Sequence, residues 1–78
     1  MNHLSIAIGN RIRAQRKKIG MNQEKLALAA EIDRSYMGRI ERGEVNITVD
    51  KLYQLAITLN CHPINLLPEI TEYQDTEN

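Results

Sequence analysis

Leu4, Ile8 and Ile12 recur every four residues, the spacing of one helical face, and Arg16 continues the line. Arg11, Arg13, Lys17 and Lys18 take the outward positions. Gly20 stands where a left-handed residue closes a helix, so the pattern predicts a first helix from about Leu4 to Ile19. Asn22 is a good N-cap for a second, short helix, with Glu24 in its first turn and Leu26, Ala27 and Ala30 on its inner face. Asp33 is the next N-cap and opens a third helix from Arg34 to Arg42, which Gly43 closes. Only Glu31, Ile32 and Asp33 separate these two helices, and Ile32 is placed to plug the core. Two short helices joined by so tight a turn are the helix-turn-helix pattern. Thr48 caps a fourth helix, roughly Val49 to Leu59, with Leu52, Leu55, Ala56 and Leu59 inward. Pro63 suits the first position of a short fifth helix holding Ile64, Leu66 and Leu67, and Pro68 ends it. The chain is therefore expected to be all-α, with one domain over residues 1–68 and an acidic, flexible tail over 69–78.

Composition narrows the class. The 78 residues suffice for one modest core, rich in Leu, Ile and Ala and without Trp or Phe, which favours packed helices over a sheet. No apolar run approaches the roughly 20 residues needed to span a bilayer, and no basic stretch followed by a hydrophobic one suggests a secretion signal. The single Cys61 cannot form an internal disulfide, so a reducing cytoplasm is the expected setting. The formal net charge of zero argues at first against nucleic acid. Its distribution reverses that impression. Glu69, Glu72, Asp75 and Glu77 crowd the last ten residues, which leaves residues 1–68 with a net charge of +4. Local charge governs attraction to phosphate.

The third helix carries the chemistry. Met37, Ile40 and Glu41 share one face by the i, i+3, i+4 rule, while the opposite arc holds Ser35, Gly38, Arg39 and Arg42, with Arg34 reaching from the first turn. Arginine forks match guanine O6 and N7 in a major groove. Gly38 weakens the helix, a cost that makes sense if a bulkier side chain would hold the helix off the groove. A solvated basic face would look much the same, so the flanks decide. Gln23 opens the second helix, where it could bind a phosphate, and Asn46 follows the third, where it could donate to another. Arg16 and Glu41 both lie on inner faces, and two inward charges of opposite sign imply a shared, partly buried ion pair. The alternative is that Arg16 snorkels to the surface.

The segments RIRAQRKKIGMNQEKLALAAEID, RSYMGRIERG and NITVDKLYQLAITLN followed by PINLL, in that order and spacing, resemble the Cro-repressor-like (XRE) helix-turn-helix family from Ile12 to Leu67. The resemblance implies a five-helix, lambda-repressor-like DNA-binding fold. It assigns Gln23 to the phosphate backbone and Arg34, Ser35, Tyr36 and Arg39 to the DNA-facing part of the third helix. It also implies the Arg16–Glu41 pair. The family's turn often has glycine where this chain has Glu31. The stretch DRSYMGRIERGEVNIT is similar to the controller proteins of bacterial restriction–modification systems, which are short homodimers that regulate their own operon and the endonuclease gene. Phage and plasmid repressors share much of this pattern.

Tyr53, Ile57, Ile64, Leu67 and Ile70 offer more apolar surface than one small core readily hides; some of them are expected in the core, and the remainder points to a homodimer built on the fourth and fifth helices. A twofold dimer would set two recognition helices about 34 Å apart, on successive major grooves of a near-palindromic operator in double-stranded DNA. Catalysis is not expected: His3 and His62 are far apart in sequence, and no phosphate loop, carboxylate pair or nucleophile signature is present. His62 reads as a capping or surface residue. No metal, cofactor or small-molecule ligand is expected, since Cys61 beside His62 supplies two possible ligands where a structural zinc site wants four. Cys61 reads instead as a small apolar residue at a helix corner. The competing reading is an antitoxin-like protein-docking module on the same scaffold, which would place its important residues on the last helices or in the tail. The tail either touches RNA polymerase or simply solubilises the dimer.

Overall fold

The computed structural model describes residues 3–73, which form five α-helices and one 3-10 turn. The helices are α1 (His3–Lys18), α2 (Gln23–Ala29), α3 (Arg34–Glu41), α4 (Val49–Thr58) and α5 (Ile70–Tyr73), with the 3-10 turn at Pro63–Leu66. Side-chain caps start three of them. Asn22 accepts from the Lys25 amide, Asp33 from the Ser35 and Tyr36 amides, and Thr48 from the Lys51 amide. Each satisfies donors that the first helical turn leaves free.

The first four helices end alike. At α1 the Gly20 amide donates to Lys17 O and the Met21 amide to Arg16 O, the paired bonds of a Schellman motif. The same two bonds recur at Glu31 and Ile32, at Gly43 and Glu44, and at Asn60 and Cys61. The motif needs a left-handed residue, and all four pivots have it: φ is 73° at Gly20, 57° at Glu31, 76° at Gly43 and 57° at Asn60. At Gly43 the left-handed backbone coincides with close packing, because a Cβ there would lie 2.6 Å from the Ile6 Cα.

The core gathers Ile12 of α1, Leu26 and Ala27 of α2, Met37 and Ile40 of α3, Leu52, Leu55 and Ala56 of α4, and Leu66. Ile32 is buried between α2 and α3, as its place in the turn suggests. The inner face of α1, however, differs from the expected stripe. Its buried residues are Ser5, Gly9, Ile12 and Arg16, while Leu4 is 38% exposed beside a cleft lined also by Ile8, Val45 and Ile47. The reason is close helix packing. A Cβ on Gly9 would meet Ile40 O and Glu41 O at 2.6 Å, so only small residues fit where α1 crosses the end of α3.

The expected fifth helix is the 3-10 turn instead. Asn65 N donates to His62 O, Leu67 N donates to Ile64 O, and Asn65 Oδ1 accepts from His62 N. Leu66 alone of its apolar residues is buried, and Pro68 has no amide to carry the turn onward. Where the sequence reading has a tail, Ile70–Tyr73 form a helical turn packed on α1. Glu72 there pairs with Arg11, and the His3 Nδ1 lies 3.2 Å from Tyr73 O. Residues 74–78 of the expected tail lie outside the described residues. No helix of the described residues is long and apolar enough to cross a membrane.

Candidate nucleic-acid interface

Helix α3 divides cleanly into a buried and an exposed side. Met37, Ile40 and Glu41 are buried, whereas Arg34, Ser35, Arg39 and Arg42 are exposed. Tyr36 is intermediate and packs against the edge of the core, so its ring is held while part of it faces out. Gly38 differs from the expectation of an open glycine on the groove-facing arc. It is buried, because the Arg42 guanidinium and the Gln23 amide lie over it.

Beneath this surface sits a charged hub. Arg16 Nε donates to Glu41 Oε2 at 2.7 Å and Arg16 Nη2 donates to Glu41 Oε1 at 3.1 Å, a forked pair joining α1 to α3. Arg16 Nη1 also donates to Met21 O, which ties in the α1–α2 corner. Arg13 Nε lies 3.5 Å from Glu41 Oε1, a second cation that the reading of inner faces missed. Burial of Glu41 with fewer partners would be costly; two cations and a side-chain amide satisfy it.

Gln23 carries the hub outward. Its Nε2 donates to Glu41 Oε1 at 3.1 Å, and its Oε1 accepts from Arg34 Nε at 3.1 Å. Arg34 also has Glu24 Oε1 3.9 Å from its Nη1. A continuous polar line thus runs from the buried Arg16–Glu41 pair through Gln23 to the first arginine of α3, and it orients that side chain before any ligand arrives. Asn46 is fastened elsewhere: its Oδ1 accepts from the buried Ser5 hydroxyl, anchoring the α3–α4 connection to α1.

Sequence reasoning saw no acid on the exposed arc, and the structure brings one there. Glu44 Oε2 accepts from Arg42 Nε at 2.6 Å, and Glu44 Oε1 lies 3.8 Å from Arg39 Nε. The hydrogen bond from Arg42 holds the Glu44 carboxyl below its ordinary range, and the same bond raises the Arg42 guanidinium above its own. A usable signal was present in the sequence. Gly43 marks the left-handed pivot, and in a Schellman motif the residue after the pivot folds back over the helix's last turn, here toward Arg39.

The expected dimer residues lie outside α3, Tyr53 and Ile57 on α4 and Ile64 and Leu67 in or beside the 3-10 turn. Tyr53, Ile57, Ile64 and Leu67 are all exposed, and none belongs to the core. Val49, also exposed, extends the Tyr53–Ile57 line along α4 at i, i+4, i+8 spacing. Cys61 is partly buried against the core, and burial pushes its thiol pKa up.

Comparison with known proteins places this geometry. Residues 12–66 match the helix-turn-helix family model HTH_3. The chain is 34% identical over 67 residues to the control protein C.BamHI of Bacillus amyloliquefaciens, spanning 85% of this chain and 83% of that one. Its fold superposes on the restriction–modification controller protein C.AhdI of Aeromonas hydrophila with a TM-score of 0.77 at 36% identity, covering 81% of this chain and 96% of that one. It also superposes on SinR, a master regulator for biofilm formation whose structure is in complex with DNA, with a TM-score of 0.71 at 32% identity over 76% of this chain and 95% of that one. The chain belongs to the helix-turn-helix (HTH_3, XRE-type) family of DNA-binding regulators, and within it is similar to the restriction–modification controller proteins.

Proposed function

We propose that this protein is a homodimeric, sequence-specific transcriptional regulator that binds near-palindromic operator DNA in a bacterial cytoplasm and autoregulates a restriction–modification operon. The observation that carries the reading is the outward face of α3. Its arginines stand beside Ser35 and Tyr36 on a helix whose opposite side is locked into the core, and Arg34 is pre-oriented through Gln23 and Glu41. In this reading α3 lies in the major groove, with Arg34 and Arg39 at base edges, Ser35 and Tyr36 beside them, and Arg42 toward the backbone. Gln23 and Asn46 take phosphates with whatever hydrogen-bonding capacity their internal contacts leave. The similarity to C.BamHI and C.AhdI supports the controller role.

The second support is the apolar surface of Tyr53, Ile57, Ile64 and Leu67. These side chains are exposed in the monomer, and pairing two such surfaces about a twofold axis would cover them. The test is fluorescence anisotropy on the duplex upstream of the protein's own gene, against a shuffled duplex, over a salt series. Tight binding to the upstream site only, two chains per site and a steep salt slope are expected. Arg34→Ala should weaken binding to that site by roughly 10- to 100-fold. Equal, weak binding to both duplexes would overturn autoregulation.

A further inference from the structure

We propose that Glu44 is a specificity-determining residue: an internal counter-ion that holds Arg42 against α3 and suppresses binding to DNA offering phosphates alone. The inference rests on the DNA-binding reading above.

Backbone geometry fixes the position of Glu44. The Schellman motif at Gly43 donates the Glu44 amide to Arg39 O at 2.9 Å, which folds residue 44 back over the last turn of α3. From there its carboxylate takes Arg42 Nε at 2.6 Å and Nη2 at 3.5 Å. The other end of the same guanidinium lies in the notch that Gly38 leaves. Arg42 Nη1 is 3.0 Å from where a Cβ on residue 38 would stand, and Gln23 Oε1 is 3.6 Å from the same point. Arg42 is thus retained at both ends, by a carboxylate and by a missing side chain.

The consequence for DNA is unequal. Arg39 meets Glu44 through Nε at 3.8 Å, beyond hydrogen-bond reach, so its terminal fork stays available for a base edge. Arg42, by contrast, has its Nε bonded to Glu44 and its Nη2 3.5 Å from the same carboxylate. Non-specific binding depends on the number of phosphates neutralised, each contributing about 0.9 to the slope of log affinity against log salt. Occupying Arg42 with an internal carboxylate withdraws one such contact from a duplex that offers phosphates alone, whereas at a cognate site the base contacts hold α3 in the groove, where a phosphate can displace Glu44 and take Arg42. A cognate site makes up the loss through base contacts; a random site cannot. All three groups are substantially exposed, so the fold itself does not depend on the pair.

The variant Glu44→Gln keeps the shape and removes the charge. Anisotropy titrations on the best-bound duplex and on a shuffled duplex, over a salt series, should show shuffled-duplex affinity rising about 5- to 10-fold at 0.1 M salt, with a slope steeper by about 0.9. Cognate affinity should rise less, so that the ratio between the two falls. Glu44→Asp, which retains the charge, should return both toward wild type. In the free protein, the Arg42 Nε–H resonance should be protected from exchange and lose that protection in Glu44→Gln. Four results would overturn the inference: an unchanged shuffled-duplex affinity and slope, weakening on both duplexes, an equal rise on both, or an Arg42 Nε–H signal indifferent to the substitution. Wild-type protein that binds neither duplex would overturn the DNA-binding reading itself, whereas wild-type binding with an indifferent Glu44→Gln overturns this inference alone.

Discussion

Glu31 closes α2 with φ of 57°, in the left-handed region where a side chain bearing Cβ is strained by about 1–2 kcal/mol. Its own amide still donates to Leu28 O, and Ile32 N reaches Ala27 O at 2.9 Å, so the turn holds its shape despite the strain. Glycine would relieve the strain but add backbone freedom to the unfolded chain, an offset of about 0.4–1 kcal/mol. Glu31→Gly should therefore stabilise the protein by roughly 0.5–1 kcal/mol, a gain of several degrees in Tm for a domain of this size. Thermal and urea unfolding check it, and an unchanged or lower midpoint would count against strain at this corner. Single residues also mark what could be read in advance. Gly20 and Gly43 announce their corners by identity, while Glu31 and Asn60 adopt the same conformation without such a signal at Glu31 and with only a weak one at Asn60. Arg16 and Glu41 were legible as a pair because a charge on an inner face demands a partner. Glu44 carries a subtler signal, since only the pivot at Gly43 shows that the residue after it folds back over α3.

Among the elements, boundaries of α2, α3 and α4 follow from their caps, and those caps are visible as Asn22, Asp33 and Thr48. The face of α1 departs from the expected stripe at Leu4 because hydrophobic periodicity counts large apolar residues, and the close contact with α3 is made at Gly9, with buried Ser5 on the same side bonded to Asn46. Volume exclusion at a helix crossing leaves no hydrophobic signature. The turn at Ile70–Tyr73 was hidden for a related reason: it docks through a charged contact rather than an apolar stripe. Glu72 there accepts from the Glu69 amide at 2.7 Å and from Arg11, and chiefly the backbone bond, then the Arg11 contact, hold its carboxyl below the ordinary glutamate range. A depressed carboxylate stabilises the folded state above the unfolded-chain value and loses that contribution as pH falls through the folded one. The Glu69 amide resonance should accordingly titrate with a midpoint below the ordinary glutamate range, and Arg11→Ala should raise that midpoint only part of the way. A midpoint at or above the ordinary range would show that the turn does not dock as described.

At the scale of the molecule, the proposed reading gives α3 to DNA and the exposed apolar side chains Tyr53 and Ile57 of α4 to a second copy, so the two roles can be disabled separately. Ile57 is 78% exposed and outside the core, so Ile57→Glu should fold normally. It should nevertheless sediment as a monomer where the wild type sediments as a dimer, and bind the operator on the order of 100-fold more weakly, because two half-sites no longer share an effective concentration. Analytical ultracentrifugation decides this; a variant that remains dimeric would move the interface elsewhere. The corner between α2 and α3 has a further consequence. Its angle is set by backbone hydrogen bonds and by buried Ile32; of the outward side chains of α3, Arg34 reaches across to Gln23 of α2, whereas those of Ser35 and Arg39 make no bond to α2 among the described residues. The frame is therefore indifferent to what positions 35 and 39 carry, whereas Tyr36, half-seated against the core, is not. A duplicated gene could acquire a new operator through one or two changed codons, with no remodelling of the protein that presents them.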